Sequence, residues 1–381
     1  MKKIAVYGAT GSVGSQALDV VRRCRGLLEV ELLSCCSRLQ ELAAAANEFR
    51  PPRLVVTGEN VNREDLLTAL DYEPRIFWGE QALTDSLTGL PADLVLNAVS
   101  GIAGLPLLAA CLEAHVPTAL SNKESIVAGA DVIRTLWEQT GTPLYPVDSE
   151  HAAIYECLGD SFDASEAAVL WLTASGGPFL DVPADQMAHA SREEALAHPT
   201  WNMGPKITVD SATMANKGLE VIEARYLFGM EPDQIRIVIQ PGSLVHSMVQ
   251  FRDTTVLAQI GLPDMRVPIE RALLGRDAGE KPVGRPLDFW EVGSIGFRRP
   301  DLGKFPCIAL AYEALREKET AVFNAADDEA VALFLAGRIE LGAIPELIER
   351  ALAEFRGEVP SSVEEIMRLD SAVRTFTRSL A

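Results

Sequence analysis

A chain of 381 residues, 48% of them hydrophobic and 23% charged, is long enough for two or three folded domains and has the composition of an ordered protein. Its net charge of −20 works against nucleic acid or an anionic membrane as partner, since both select basic surfaces. The six cysteines lack C-x-x-C spacing and no apolar run is long enough to span a membrane, so reduced thiols in a cytosol are expected.

The opening MKKIAVYGAT passes from two lysines straight into a short apolar strand, with no secretory leader pattern. Glycines follow at Gly8, Gly11 and Gly14, then a helix with Val13, Ala17, Leu18, Val20 and Val21 as its apolar residues. Strand, glycine turn and helix form the setting of a dinucleotide fingerprint. Gly8 permits the tight turn, Gly11 lets the backbone approach a pyrophosphate, and Gly14 lets the helix sit close to the strand. The next strand, in EVELLSCCSRL, ends on Ser37 and Arg38, where NAD enzymes commonly place an acid. A hydroxyl and a guanidinium suit a ribose 2′-phosphate, which favours NADP. RLVVTG, PRIFWG, ADLVLNAVSG, PTALSNKES and TPLYPVDSEH then alternate with helical stretches, as βα units of a parallel sheet do. Lys123, in SNKES, falls just after a strand and thus near the ligand side of such a sheet.

PVDSEH places Asp148 and Glu150 one residue apart, and in an extended segment both point the same way and repel unless a cation holds them. WLTASGGPF reads as a strand running into a turn whose Ser175 and paired glycines could cradle an oxyanion. HPTWNMG, with His198, Trp201 and Met203, reads as a loop able to fold over a ligand, although Trp201 suits a core equally well. KITVD is expected to be a strand and Ser211 the N-cap of a helix bearing Asn216, Lys217 and Glu220 on one face. Glu220 completes a three-carboxylate set with Asp148 and Glu150, and all-oxygen ligation of that kind selects Mg²⁺ or Mn²⁺. Residues 240–269 read as a hairpin carrying a packed His246. Met265 is suited to a nicotinamide ring or to core, and the chain closes in acidic helices.

GATGSVG, SNKES, VDSEH, TASGGPF, HPTWNMGPKITVDSATMANKGLEVIEA, SLVHSMV, GLPDMR and KFPCIALAYEA occur in that order, and together they resemble the motifs of the 1-deoxy-D-xylulose 5-phosphate reductoisomerase family over nearly the whole chain. The resemblance implies an α/β fold in four parts: a Rossmann-like NADP-binding domain over 1–147, a central α/β catalytic and metal-binding domain over 148–275, a linker over 276–300 and a C-terminal helical bundle over 301–381. It implies conversion of 1-deoxy-D-xylulose 5-phosphate to 2-C-methyl-D-erythritol 4-phosphate, by retro-aldol rearrangement and reduction, in non-mevalonate isoprenoid biosynthesis. The cofactors implied are NADPH and Mg²⁺, Mn²⁺ or Co²⁺, and the enzyme would be a cytoplasmic homodimer. The ion would sit on Asp148, Glu150 and Glu220, with Lys123 and His198 completing the catalytic set. Ser149, Glu150, Ser175, Trp201, Ser211, Asn216 and Lys217 would bind substrate with Lys123, His198 and Glu220. Gly8, Thr10, Gly11, Ser12, Val13, Cys36, Ser37, Arg38, Asn122, Glu124, Gly204 and Met265 would bind NADPH. Cys36, Arg38, Pro205, Gly242, His115 and Ser121 depart from the usual family pattern. A metal-independent semialdehyde-type NADP dehydrogenase with a cysteine nucleophile shares the opening glycine pattern and is the alternative reading.

Overall fold

The computed structural model describes residues 1–201, 203–275 and 282–381. The chain forms two compact bodies, one of residues 1–122, 135–148 and 264–285, the other of residues 123–134, 149–263 and 286–381.

In the first body seven parallel strands stand in the order Arg75–Trp78, Arg53–Val56, Leu28–Cys35, Lys2–Tyr7, Leu94–Asn97, Thr118–Leu120 and Leu144–Pro146. A parallel sheet is covered on both faces, and its central strand accordingly keeps Ile4, Ala5, Val6 and Tyr7 all fully buried rather than alternating. Strand order reverses at Lys2–Tyr7, so the crevice beyond its carboxyl end is where such sheets take ligands. Two glycines make that end possible. Gly8 has φ +82°, and a Cβ there would lie 2.2 Å from the Ala98 carbonyl oxygen; a Cβ on Gly14 would lie 2.1 Å from the Gly8 oxygen. The helix Ser12–Arg23 therefore starts directly against the turn.

The second body has a four-stranded sheet in the order Val256–Ile260, Val245–Phe251, Ala167–Ala174, Ile235–Ile239, antiparallel except for its last pair. The first two strands are the expected hairpin. Helices Ser149–Cys157 and Ala215–Phe228 pack on this sheet, and Pro306–Glu317, Thr320–Leu335, Ala343–Glu354 and Val363–Ser379 are the expected C-terminal helices. Gly218 lets Ala215–Phe228 press on Pro306–Glu317, since a Cβ there would fall 2.6 Å from the Ala311 Cβ.

Three details differ from the sequence reading. KITVD is not a strand: Pro205–Thr213 is a helix with Gly204 as N-cap and Pro205 in its first turn, so Ser211 lies inside it, and Met214 (φ +62°) separates it from Ala215–Phe228. Its β-branched residues suggested a strand, but proline's preset φ at a helix start and the burial of Val209 and Ala212 outweigh that weak preference. Asp148 and Glu150 do not share an extended segment, because the strand ends at Pro146 and Ser149 opens a helix. The bodies also divide differently from a simple succession of domains. Residues 264–285 return to the first body, where Arg266 binds Asp264 at 2.6 Å and Asp19 at 2.9 Å and Met265 packs on the core. Residues 276–281 of the expected linker lie outside the described residues.

Gly14→Ala is expected to lose about 1–3 kcal/mol in urea unfolding through backbone overlap. Gly296→Ala, which meets nothing within 4 Å, is expected to change stability by less than about 0.5 kcal/mol. Equal effects would contradict this packing account.

Candidate active site

Glu220 sits in the middle of Ala215–Phe228 and is 1% exposed. A carboxylate so buried needs cations, and the helix supplies one itself. Lys217, three residues earlier, donates to Glu220 Oε2 and reaches Glu150 Oε1 at 2.8 Å. Lys123, at the first position of the helix Lys123–Thr140, adds a second ammonium, 3.1 Å from Glu220 Oε1 and 2.9 Å from Asn216 Oδ1. The Asn216 amide closes the arrangement by donating to Glu220 Oε1 at 2.5 Å. Burial disfavours the charged form of Lys217, but Glu150 and Glu220 outweigh it and hold its pKa above the ordinary lysine value.

Glu150 belongs to the first turn of Ser149–Cys157 and accepts from Ser149 Oγ at 2.5 Å. Asp148 is joined to that turn by one peptide bond. One carboxylate oxygen each from Asp148, Glu150 and Glu220 lies within 4.8 Å of the others. An ion bonded at about 2.1 Å holds oxygens roughly 3 Å apart at right angles and about 4 Å apart across it, so this all-oxygen set fits a hard dication after small movements. Two ammonium groups now share the charge such an ion would balance. One residue that sequence reasoning left out of the site supports the same turn. The fully buried His151 lies with its Nδ1 3.2 Å from Glu223 Oε2, and its Nε2 donates to the Glu220 main-chain carbonyl at 3.0 Å. Histidine next to the acid pair was visible in DSEH, but nothing in the sequence brought it to Glu223.

A second cluster surrounds Ser175, where the strand Ala167–Ala174 ends in a turn with Gly176 (φ +89°) and Gly177 (φ +65°). The Gly177 N–H donates to Ser175 Oγ at 3.1 Å, and a Cβ on Gly177 would lie 2.5 Å from the Ser211 carbonyl oxygen, so the turn abuts Ser211. His198 Nδ1 accepts from the N–H groups of Thr200 (3.1 Å) and Trp201 (2.8 Å). Its proton is therefore on Nε2, which donates to Ser175 Oγ at 3.1 Å. Burial lowers the His198 pKa, which keeps the ring neutral. Hydroxyl, imidazole and backbone donors thus gather around one turn, as an oxyanion requires. The Trp201 ring centroid lies 6.3 Å from that of His246. Gly204 caps Pro205–Thr213, while Asn202 lies outside the described residues.

In the first body, Gly8, Thr10, Gly11, Ser12 and Val13 form the turn and first helical residues at the sheet's switch point. Cys36, Ser37 and Arg38 follow the strand Leu28–Cys35; Cys36 is exposed, and Arg38 is half exposed with Glu41 3.1 Å away. Asn122 carries a local structural load, donating to the carbonyls of Val99 (2.8 Å) and Gly101 (2.9 Å) and so holding the turn after Leu94–Asn97. Glu124 belongs to the second body. Burial raises its pKa against the opposing charge of Lys206. Glu150, Glu220 and the Ser175 cluster thus belong to the second body, while Asp148, at the end of the segment 135–148, and the glycine turn belong to the first.

If Lys217 balances buried Glu220, Lys217→Met is expected to cost about 3 kcal/mol. Millimolar Mg²⁺ is expected to raise the melting temperature of this variant more than that of the parent, by restoring positive charge among the acids. A variant whose melting is indifferent to Mg²⁺ would contradict the site.

Comparison with known proteins bears on the whole chain. Family models of 1-deoxy-D-xylulose 5-phosphate reductoisomerase match residues 4–130, and models of its C-terminal domains match 144–228 and 260–376. A 1-deoxy-D-xylulose 5-phosphate reductoisomerase of Geobacillus kaustophilus is 42% identical, covering 100% of both chains. One of Laribacter hongkongensis is 42% identical, covering 98% of each. A crystal structure of DOX-P reductoisomerase in complex with NADPH, fosmidomycin and magnesium superposes with a TM-score of 0.91 at 37% identity, covering 100% of this chain and 98% of the other. The reductoisomerase from Zymomonas mobilis in complex with NADPH gives 0.90 at 35% identity over the same shares.

Proposed function

The chain belongs to the 1-deoxy-D-xylulose 5-phosphate reductoisomerase family, and on that premise we propose that it converts 1-deoxy-D-xylulose 5-phosphate to 2-C-methyl-D-erythritol 4-phosphate using NADPH and a divalent cation. The observation that carries the proposal is the cluster of Asp148, Glu150 and Glu220, within 4.8 Å of one another and flanked by Lys123 and Lys217. A divalent ion on those acids supplies Lewis-acid polarisation of substrate oxygens, and NADPH supplies the hydride.

The remaining work falls to the chain's own side chains. Ser175, Ser211, Asn216, Lys217 and His198 bind the phosphate. His198 does so as a neutral Nε2–H donor, which suits it to holding an anion and leaves it no free basic nitrogen, because Nδ1 is occupied by two backbone donors. Lys123 offers a protonated ammonium to a substrate oxygen while restraining Glu220. Ser149, beside Glu150, supplies a further hydroxyl contact, and Trp201 covers the ligand from the loop. Gly8, Thr10, Gly11, Ser12 and Val13 receive the NADPH pyrophosphate, and Cys36, Ser37 and Arg38 its 2′-phosphate. Asn122, Glu124, Gly204 and Met265 complete the cofactor set.

The thiol-dependent dehydrogenase is not favoured. Burial pushes Cys35 and Cys111 up to about 12 and Cys157 to about 11, and it raises Cys307 as well, so none of these is a ready thiolate. No disulfide joins the six cysteines, which fits a reducing cytosol; cell fractionation recovering the protein elsewhere would contradict that location. No helix of the described residues is long and apolar enough to cross a membrane. The proposal includes a homodimer. Val256–Ile260 is an edge strand with Val256 and Leu257 each 50% exposed, and pairing with a second copy would cover both its apolar side chains and its open hydrogen-bonding edge. Sedimentation velocity at micromolar concentration is expected to give a dimer, and a monomer throughout would remove it.

The decisive variants are paired. Glu220→Gln is expected to abolish Mg²⁺-dependent turnover of 1-deoxy-D-xylulose 5-phosphate while retaining NADPH affinity, and Arg38→Asp to weaken NADPH far more than NADH. Normal turnover in the first variant, or equal weakening of both nucleotides in the second, would overturn the corresponding assignment.

A further inference from the structure

Beneath the proposed phosphate site lies a buried ionic cluster that the reaction does not use directly. Lys206, in the first turn of Pro205–Thr213, reaches three carboxylates: Asp210 on its own helix at 2.8 Å, and Asp327 at 2.9 Å and Asp328 at 3.0 Å on Thr320–Leu335. Arg374, on Val363–Ser379, ties Asp328 at 2.6 Å to Asp370 at 2.7 Å. Glu124, on Lys123–Thr140, adds a further acidic group within electrostatic range of Lys206, and the buried Cys307, on Pro306–Glu317, lies within range of the charges of Asp210 and Asp327. Glu329 is separately paired with Arg378 at 2.7 Å. Five carboxyl groups (Glu124, Asp210, Asp327, Asp328, Asp370) thus confront two cations.

Such an excess of negative charge is not tolerated at full ionisation in a buried place. Asp210 and Asp327 are 1% and 0% exposed, and their carboxyls lie within hydrogen-bonding reach of each other. Asp210 Oδ1 and Asp327 Oδ1 are buried without a hydrogen-bond donor; Asn324, one turn away, has an amide oxygen without a donor and an amide nitrogen without an acceptor. One proton held between the two aspartates gives an orphaned oxygen its partner and brings the charge nearer balance.

We infer that Lys206 is a positioning residue: above an Asp210–Asp327 pair that shares one proton, it ties the helix carrying Ser211 to the C-terminal helices, so that the substrate phosphate meets a fixed Ser211 only while that proton is held. Ser211 directly follows Asp210, and its carbonyl packs on Gly177 of the Ser175 turn, so a shift of this helix disturbs both hydroxyls at once. The sign follows from burial. Both aspartates are raised above the ordinary carboxylate value, by burial first and then by each other or by neighbouring carboxylates, against the pull of Lys206. A raised acid favours the folded arrangement at low pH and ceases to do so as pH climbs through its folded value, so the loss lies on the alkaline side.

This inference rests on the reading of Ser211 as a phosphate ligand, and the test keeps the two apart. Kinetics with 1-deoxy-D-xylulose 5-phosphate, saturating NADPH and Mg²⁺ are measured between pH 6 and pH 10 for the parent, Lys206→Met, Lys206→Arg and Asp327→Asn. No turnover by the parent would overturn the function rather than the inference. With an active parent, Lys206→Met is expected to raise KM at least tenfold with kcat changed less than threefold, and Lys206→Arg to recover KM to within threefold. Asp327→Asn, which mimics the protonated carboxyl, is expected to move the alkaline fall of kcat/KM to higher pH. A KM in Lys206→Met within twofold of the parent overturns the inference, as does an alkaline limb unchanged by Asp327→Asn. If Lys206→Met does not fold, the Asp327→Asn limb decides alone.

Discussion

Carboxylates crowded within 4.8 Å of one another repel by roughly 3 kcal/mol per pair at the effective dielectric of a protein surface. That repulsion is the constraint around which Asp148, Glu150 and Glu220 are built. Lys217 is placed three residues before Glu220, Lys123 opens a helix against it, and Asn216 spends its amide on the same oxygen. An arrangement that needs two ammoniums and an amide merely to persist is poised to accept a dication. An ion on the carboxylate oxygens would supply the positive charge that Lys123 and Lys217 now provide, and on the proposed function would leave both lysines able to donate to substrate oxygens.

The second body serves that cluster in layers. The four-stranded sheet carries helices Ser149–Cys157 and Ala215–Phe228, whose facing turns set Glu150 against Lys217. His151 pins the Glu220 backbone from beneath, so the carboxylate cannot retreat from its partners. On the other flank the Ser175–Gly177 turn, His198 and Ser211 converge through glycines that admit no side chain. The C-terminal helices, which contribute nothing to the acid cluster, grip Pro205–Thr213 through Lys206 and Asp327. On this account the bundle is a foundation for the phosphate site.

Much of this was legible in the residues alone. Fully apolar runs such as IAVY, punctuated by Gly8, Gly11 and Gly14, announce a parallel sheet with a ligand-binding turn, and the C-terminal helices show plain helical periodicity. The shared face of Asn216, Lys217 and Glu220 followed from spacing. KITVD misled because Ile207, Thr208 and Val209 read as a strand, although Gly204-Pro205 was a helix start and Lys206 to Asp210 a helical charge pair. What spacing cannot supply is the meeting of distant segments. Lys123 and Glu220 are 97 residues apart, and His151 and Glu220 are 69 apart, so their pairing is a product of tertiary packing. The same holds for the return of residues 264–285 to the first body, where Arg266 finds Asp19.

The central claim, that the three acids form a divalent-ion site, is tested most directly by anomalous diffraction from crystals soaked in Mn²⁺. The account predicts one strong peak within bonding distance of carboxylate oxygens of Asp148, Glu150 and Glu220, with Lys217 drawn away from Glu150. A peak elsewhere, with the Lys217 ammonium still seated between Glu150 and Glu220, would contradict it.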